Sequence, residues 1–155
     1  MLENHERTLL AAQGYSELGM VDDALAEIDT LPAEVAEHAT VVEMRIHVLR
    51  QARRWKPALT ASRVLCRVAP DKASGFIHTA FCLHELGRTA EARDTLLSGP
   101  PLLHAESVYH YNLACYECTL GNLDLARLHL EKSFELDKSL KEFSKTDPDL
   151  AGLRG

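Results

Sequence analysis

Cys115-Tyr116-Glu117-Cys118 carries two thiols three positions apart, the spacing of a metal or redox pair, and on a helix the two sulfurs share one face. His84 could supply a third ligand, with His47 further along. A structural zinc site wants four convergent ligands, however, and the chain has no second Cys-x-x-Cys. Cysteine is also a common small packing residue in helix cores, so the metal set Cys115, Cys118 and His84 stands behind simple packing. Thioredoxin-like redox chemistry fits less well, because that motif opens a helix after a strand and no strand is expected here. Cys66 and Cys82 complete the four cysteines, which are expected to be reduced in a helix-rich chain without an export signal.

Other chemistry finds little to stand on. The sequence has no phosphate-binding glycine loop, no serine elbow and no His-Glu-x-x-His, and its eight histidines are scattered. No catalytic residue, metal or cofactor is assigned, and the expectation is a protein that is not an enzyme. Charge is more informative. Residues 1–37 hold nine acids and one base, whereas residues 38–70 hold one acid and seven bases: Arg45, Arg50, Arg53, Arg54, Lys56, Arg63 and Arg67. That basic group could steer an acidic peptide, with Arg50 in contact, or be a solvated surface neutralised by the acidic stretch before it. Nucleic acid is not expected, since no aromatic platform interleaves with the bases and the net charge is -6.

The elements that hold these residues follow from composition and spacing. Of 155 residues, 46% are hydrophobic and 26% charged, enough for a real core, while only 6% are aromatic. Abundant leucine and alanine lean towards helix. No segment offers the roughly 18 apolar residues of a membrane span, and the acidic start Met1-Leu2-Glu3-Asn4-His5-Glu6 does not resemble a secretory signal. A cytoplasmic protein without membrane contact is expected.

Self-similarity organises the chain. Ala24, Ala58, Ala92 and Ala126 recur every 34 residues. Five residues before each stand Gly19, Arg53, Gly87 and Gly121, three glycines suited to the left-handed turn that ends a helix and one arginine that must bear its strain. The pattern predicts helix pairs 4–18 with 21–30, 36–52 with 55–68, 72–86 with 89–98 and 105–120 with 123–136. Pro32 and Gly99-Pro100-Pro101 stop the second helices of copies one and three early, and Asp71 is placed to cap the first helix of copy three.

These residues resemble the tetratricopeptide-repeat family, whose unit is a 34-residue helix hairpin. The small eighth position of the motif is matched by Ala12, Ala80 and Ala114, with Ile46 departing. The Ala-x-x-x-large step is matched by Ala24/Ile28, Ala92/Leu96 and Ala126/Leu130, with Ser62 departing after Ala58, and the closing proline is kept only as Pro70. The family's aromatic at the fourth position survives as Phe76 and its tyrosine at the eleventh as Tyr15. The resemblance implies an all-α, right-handed α-solenoid of antiparallel helix hairpins, one domain over 1–155, with repeats at about 5–38, 39–72, 73–106 and 107–138. Residues 139–155 would be a cap and tail, in which Leu140, Phe143, Leu150 and Leu153 cover the last helix. Asp147-Pro148-Asp149-Leu150 itself resembles the closing segment of bacterial members.

The resemblance also assigns a concave wall, made by the first helix of each pair at motif positions five, nine and twelve. Those are Leu9, Gln13 and Ser16; Glu43, His47 and Arg50; Ile77, Phe81 and His84; Tyr111, Cys115 and Cys118. Phe81 and Tyr111 would be apolar anchors if they are not core, and Gln13, His47 and His84 would orient a bound segment. The basic-and-asparagine clamp with which some members grip a chaperone's terminal carboxylate is absent, its places being held by Leu9, Gln13, Met44, Ser74 and His78. The expectation is a protein-interaction module that binds a peptide or partner segment on Gln13, His47, Arg50, Phe81, His84, Tyr111, Cys115 and Cys118. The alternative is a self-associating assembly protein, a homo-oligomer joined through opposite charges or an incompletely capped end.

Overall fold

The computed structural model describes residues 2–154, and among these there is helix and turn but no strand. The helices are α1 (Glu6–Glu17), α2 (Val21–Asp29), α3 (Ala33–Ala36), α4 (Ala39–Gln51), α5 (Trp55–Val68), α6 (Ser74–Glu85), α7 (Thr89–Leu97), α8 (Ser107–Thr119), α9 (Leu123–Leu136) and α10 (Leu140–Ser144). Short 3-10 turns occupy Leu2–His5, Pro101–Ala105 and Pro148–Leu153. The chain divides into two compact units, residues 1–78 and 79–155.

One local device makes every expected hairpin turn. Met20 N–H donates to the Tyr15 carbonyl, Arg54 to Leu49, Arg88 to Leu83 and Asn122 to Glu117, at 2.8 to 2.9 Å. The residue before each donor bonds one residue further along, as Gly19 does to Ser16, which is the paired closure of a helix end in left-handed backbone. Gly19, Gly87 and Gly121 have φ of 75°, 79° and 86°, and Arg53 occupies the same conformation at 57°. Arg53 therefore bears the strain that its position in the repeat predicts.

The alanine columns explain the packing. Ala24, Ala58, Ala92 and Ala126 are fully buried, as are Ala12, Ala80 and Ala114 and the departing Ile46. A methyl group at these points lets one helix lie close against the next. In the first unit Ala12, Ala24, Ile28, Val35, Val41 and Val48 form one core, with Leu9, Tyr15 and Met44 packed on its margin. In the second, α8 packs on α7 and α9, and its Leu113 and Tyr116 are almost wholly enclosed.

One expectation needs correction and another needs refining. Helix α6 begins at Ser74, three residues beyond Asp71, so Asp71 lies in the preceding turn and does not cap it. The expected C-terminal cap forms, as the short helix α10 and a tail folded back on the array, but it touches α9 only in part. Phe143 is 62% exposed, and Leu125 and Leu128 on α9 remain in solvent. Residues 148–153 pack chiefly on α8, where Leu150 is 1% exposed. Apolarity marked these residues as covering ones without specifying the face that they cover.

Candidate functional site

In the first unit three of the six predicted wall residues, Gln13, Glu43 and His47, are exposed. Gln13 is exposed and its amide donates to Glu17 at 3.2 Å, one turn along α1. His47 is exposed on α4. Arg50, half-buried, donates from Nη1 to Nδ1 of His78 at 2.7 Å, which fixes that ring in the neutral form. Burial, then the Arg50 charge, then His47 hold the His78 pKa down to about 4. Ser16 departs from the expected wall: it is buried, and its hydroxyl donates to Oε1 of Gln51 at 2.6 Å. Glu6, Leu9, Leu10, Gln13 and Met44 line an open, largely apolar depression of about 330 Å³.

The basic stretch finds its counter-charges close at hand. Arg45 pairs with Asp29 at 2.7 Å, Arg54 with Asp22 at 2.8 Å, and Arg67 with Glu37. Three of the seven bases are thus matched to acids of residues 1–37 inside the same unit, as the reading of a neutralised surface expected.

In the second unit the predicted residues converge on a peptide, and the peptide is the chain's own. Tyr111, Cys115 and Cys118 recur at helical spacing on α8 and are 5%, 4% and 8% exposed. Over them lies Asp147-Pro148-Asp149-Leu150. The Tyr111 hydroxyl donates to Oδ2 of Asp147 at 2.6 Å, and the Cys115 thiol faces the same oxygen at 3.9 Å. The other oxygen of Asp147 accepts from the Asp149 amide at 3.0 Å, which starts the 3-10 turn. His84, on α6, stands between Thr89 Oγ1 at 2.9 Å from Nδ1 and Asp149 Oδ2 at 3.1 Å from Nε2. Its ring lies 4.9 Å from that of Tyr116. Gly152 is close to α8, since a β-carbon there would meet the Cys118 sulfur at 3.1 Å. Phe81, on α6, is half-buried.

Burial pushes the Tyr111 and Cys115 pKa values far up, and the adjacent aspartates push further in the same direction. Both groups are therefore neutral donors facing carboxylates. No lysine or arginine pairs with Asp147 or Asp149 among the described residues. All four cysteines are free thiols. The expected metal set does not converge: among the described residues the convergent group is Cys115, Asp147 and Asp149, with ligand atoms within 4.8 Å of one another, and it omits Cys118 and His84. The aspartates were absent from the sequence-derived site, although their Asp-Pro-Asp-Leu pattern was its most distinctive feature beyond the repeats.

No family model matches the sequence, and no curated protein matches it. Solved structures do. MamA from Desulfovibrio magneticus RS-1, in a form running from position 41 to the end, is 19% identical with a TM-score of 0.74, over 86% of this chain and 76% of that one. MamA of MSR-1 is 21% identical with a TM-score of 0.70, over 85% and 76%. MamA of AMB-1 is 22% identical with a TM-score of 0.67, over 84% and 76%. MamA has the tetratricopeptide-repeat fold, and at these identities the likeness establishes that fold for this chain and nothing further. No helix among the described residues is long and apolar enough to cross a membrane.

Proposed function

We propose that the chain is a non-catalytic protein-interaction module of the cytoplasm that binds a partner segment along the wall made by the first helix of each hairpin. One observation carries this reading: α8 already holds a peptide segment by a buried leucine, a tyrosine hydroxyl and a histidine, the means by which a helical-repeat wall would hold a partner. The repeat fold, in general a scaffold and not a catalyst, agrees with it. In the first unit Gln13 and His47 are exposed for contact, with Arg50 beside them; in the second, His84, Tyr111, Cys115 and Cys118 engage a segment, and Phe81 is half-buried. The test is affinity capture from the native cells with wild type and a His47→Ala/Phe81→Ala variant of equal helicity. A protein retained by wild type and lost from the variant is the expected result. Equal capture of every protein by both would overturn the reading.

A second reading, self-association, has its own observation. Leu125 and Leu128 on α9 are 46% and 64% exposed, the kind of face that a further repeat would cover. The electrostatic version has less to rest on, because Arg45, Arg54 and Arg67 are already paired within one chain. A concentration-dependent mass that Leu128→Glu abolishes would support stacking, and a wild type monomeric at all concentrations would remove it.

A further inference from the structure

The segment on α8 is held in a way that says what the face selects. Its grip is made of a few side-chain contacts: Tyr111 to Asp147, His84 to Asp149, and the enclosure of Leu150. Between them Pro148 sets the spacing of the two carboxylates, and Asp147 caps the turn that presents Leu150 inward. Pro148, Ala151 and Gly152 are exposed, so the segment lies on the face without being threaded into it.

The grip is also electrostatically lean. Two carboxylates rest beside a neutral thiol and a neutral phenol, with no lysine or arginine paired to either. Partly exposed carboxylates without a paired cation are held less firmly than paired ones, and a segment held this way can be exchanged.

We propose that this α8 face, with His84, is a recognition site for an acidic segment of the pattern Asp-Pro-Asp-Leu, two carboxylates one residue apart followed at once by a leucine. The chain's own residues 147–150 occupy it in cis until a partner segment of that chemistry displaces them. The inference rests on the reading of the chain as an interaction module and adds to it the partner's chemistry and a self-occupied state. Tyr111 reads the first carboxylate, His84 the second, and the space that holds Leu150 takes the apolar side chain. An attached segment acts at an effective concentration of order 1 mM, so a free peptide with the same contacts competes poorly against it. A partner must therefore bring additional contacts or meet a chain whose own segment has been weakened.

That sets the experiment. A labelled peptide of residues 145–154 is titrated by fluorescence anisotropy against the full-length chain and against full-length Asp147→Asn/Asp149→Asn/Leu150→Ala, with helical content and melting followed for both. The variant is expected to bind the peptide at least tenfold more tightly than wild type does. The same peptide with both aspartates changed to asparagine should lose at least tenfold, and bound peptide should protect Cys115 and Cys118 from alkylation. A folded variant that binds no peptide, or that binds the asparagine peptide equally well, overturns the proposal. So does a wild type that dimerises by exchanging this segment between copies. If the triple variant does not fold, Asp147→Asn/Asp149→Asn serves in its place, since it weakens the attached segment, removes no apolar burial and leaves Tyr111 and His84 to read the peptide. Failure here alongside successful capture that depends on His47 and Phe81 would refute the acidic pattern alone and leave the interaction module standing.

Discussion

The two units present the same hairpin architecture and opposite wall surfaces. In the first, Gln13 and His47 are exposed, Arg50 is tied to His78, and an open apolar depression lies between α1 and α4. In the second, Tyr111, Cys115 and Cys118 are buried beneath the chain's own C-terminal segment. Equivalent positions in a repeat thus differ in accessibility because of a short C-terminal segment, residues 147–153, that belongs to no repeat. Conservation of a fold from one hairpin to the next does not conserve what its wall is free to do.

The strongest way to break this contrast is Leu150→Asp. Burying a carboxylate where a leucine is enclosed is expected to cost the docked segment about 3 kcal/mol and release it. Hydrogen exchange should then accelerate over residues 147–153 and on the α8 face, with the first unit unchanged. Next in size is a pH effect centred on His78 in the first unit. The unfolded chain takes up a proton on His78 near pH 6.5, its ordinary value, and the folded chain only near about 4, so neutral His78 favours the fold. Stability should fall as pH drops through that window, by on the order of 2 kcal/mol after allowance for partial exposure. Unfolding followed at each pH should show the slope in wild type and a clearly shallower one in His78→Asn, which still accepts from Arg50; His129, whose pKa is also lowered by burial and by His110, supplies the remainder.

Smaller changes sharpen the comparison. Tyr111→Phe removes the 2.6 Å bond to Asp147, which keeps the Asp149 amide and the Cys115 thiol, and should weaken docking by about 1.5 kcal/mol. Faster exchange at the Asp149 amide would register it. Arg53→Gly relieves the strain of a side chain at φ 57° and should stabilise the first unit by about 0.7 kcal/mol, measured by chemical denaturation. Smallest is Arg54→Ala, which breaks an exposed pair with Asp22 and should cost about 0.4 kcal/mol or less at moderate salt.

The repeat was legible because its physics is local and periodic. A left-handed turn every 34 residues needs glycine or a strained substitute, and a close helix contact needs a small side chain, so Gly19, Arg53, Gly87, Gly121 and the alanine columns mark both. Helix ends were legible within two or three residues, and Asp71 misled because a good capping residue can stand in a turn that the helix does not begin at. The occupied wall was only half legible. Tyr111, Cys115 and Cys118 follow from their spacing on α8, and the partners Asp147 and Asp149 sit some thirty residues away, beyond the reach of any period. Leu150 and Phe143 look alike in sequence, yet one is enclosed and the other is in solvent, a distinction made by tertiary packing alone.

The central contrast is read most directly by thiol reactivity, since the four free cysteines sample it from both sides. Cys66 is half-buried in the first unit, Cys82 is enclosed in the core, and Cys115 and Cys118 lie under the docked segment. In native wild type, timed alkylation with mass spectrometry should modify Cys66 first and leave the other three protected. In Leu150→Asp, Cys115 and Cys118 should become reactive while Cys82 stays protected. Reaction of Cys115 and Cys118 in wild type as fast as that of Cys66 would contradict the covered wall, and with it the contrast on which this account rests.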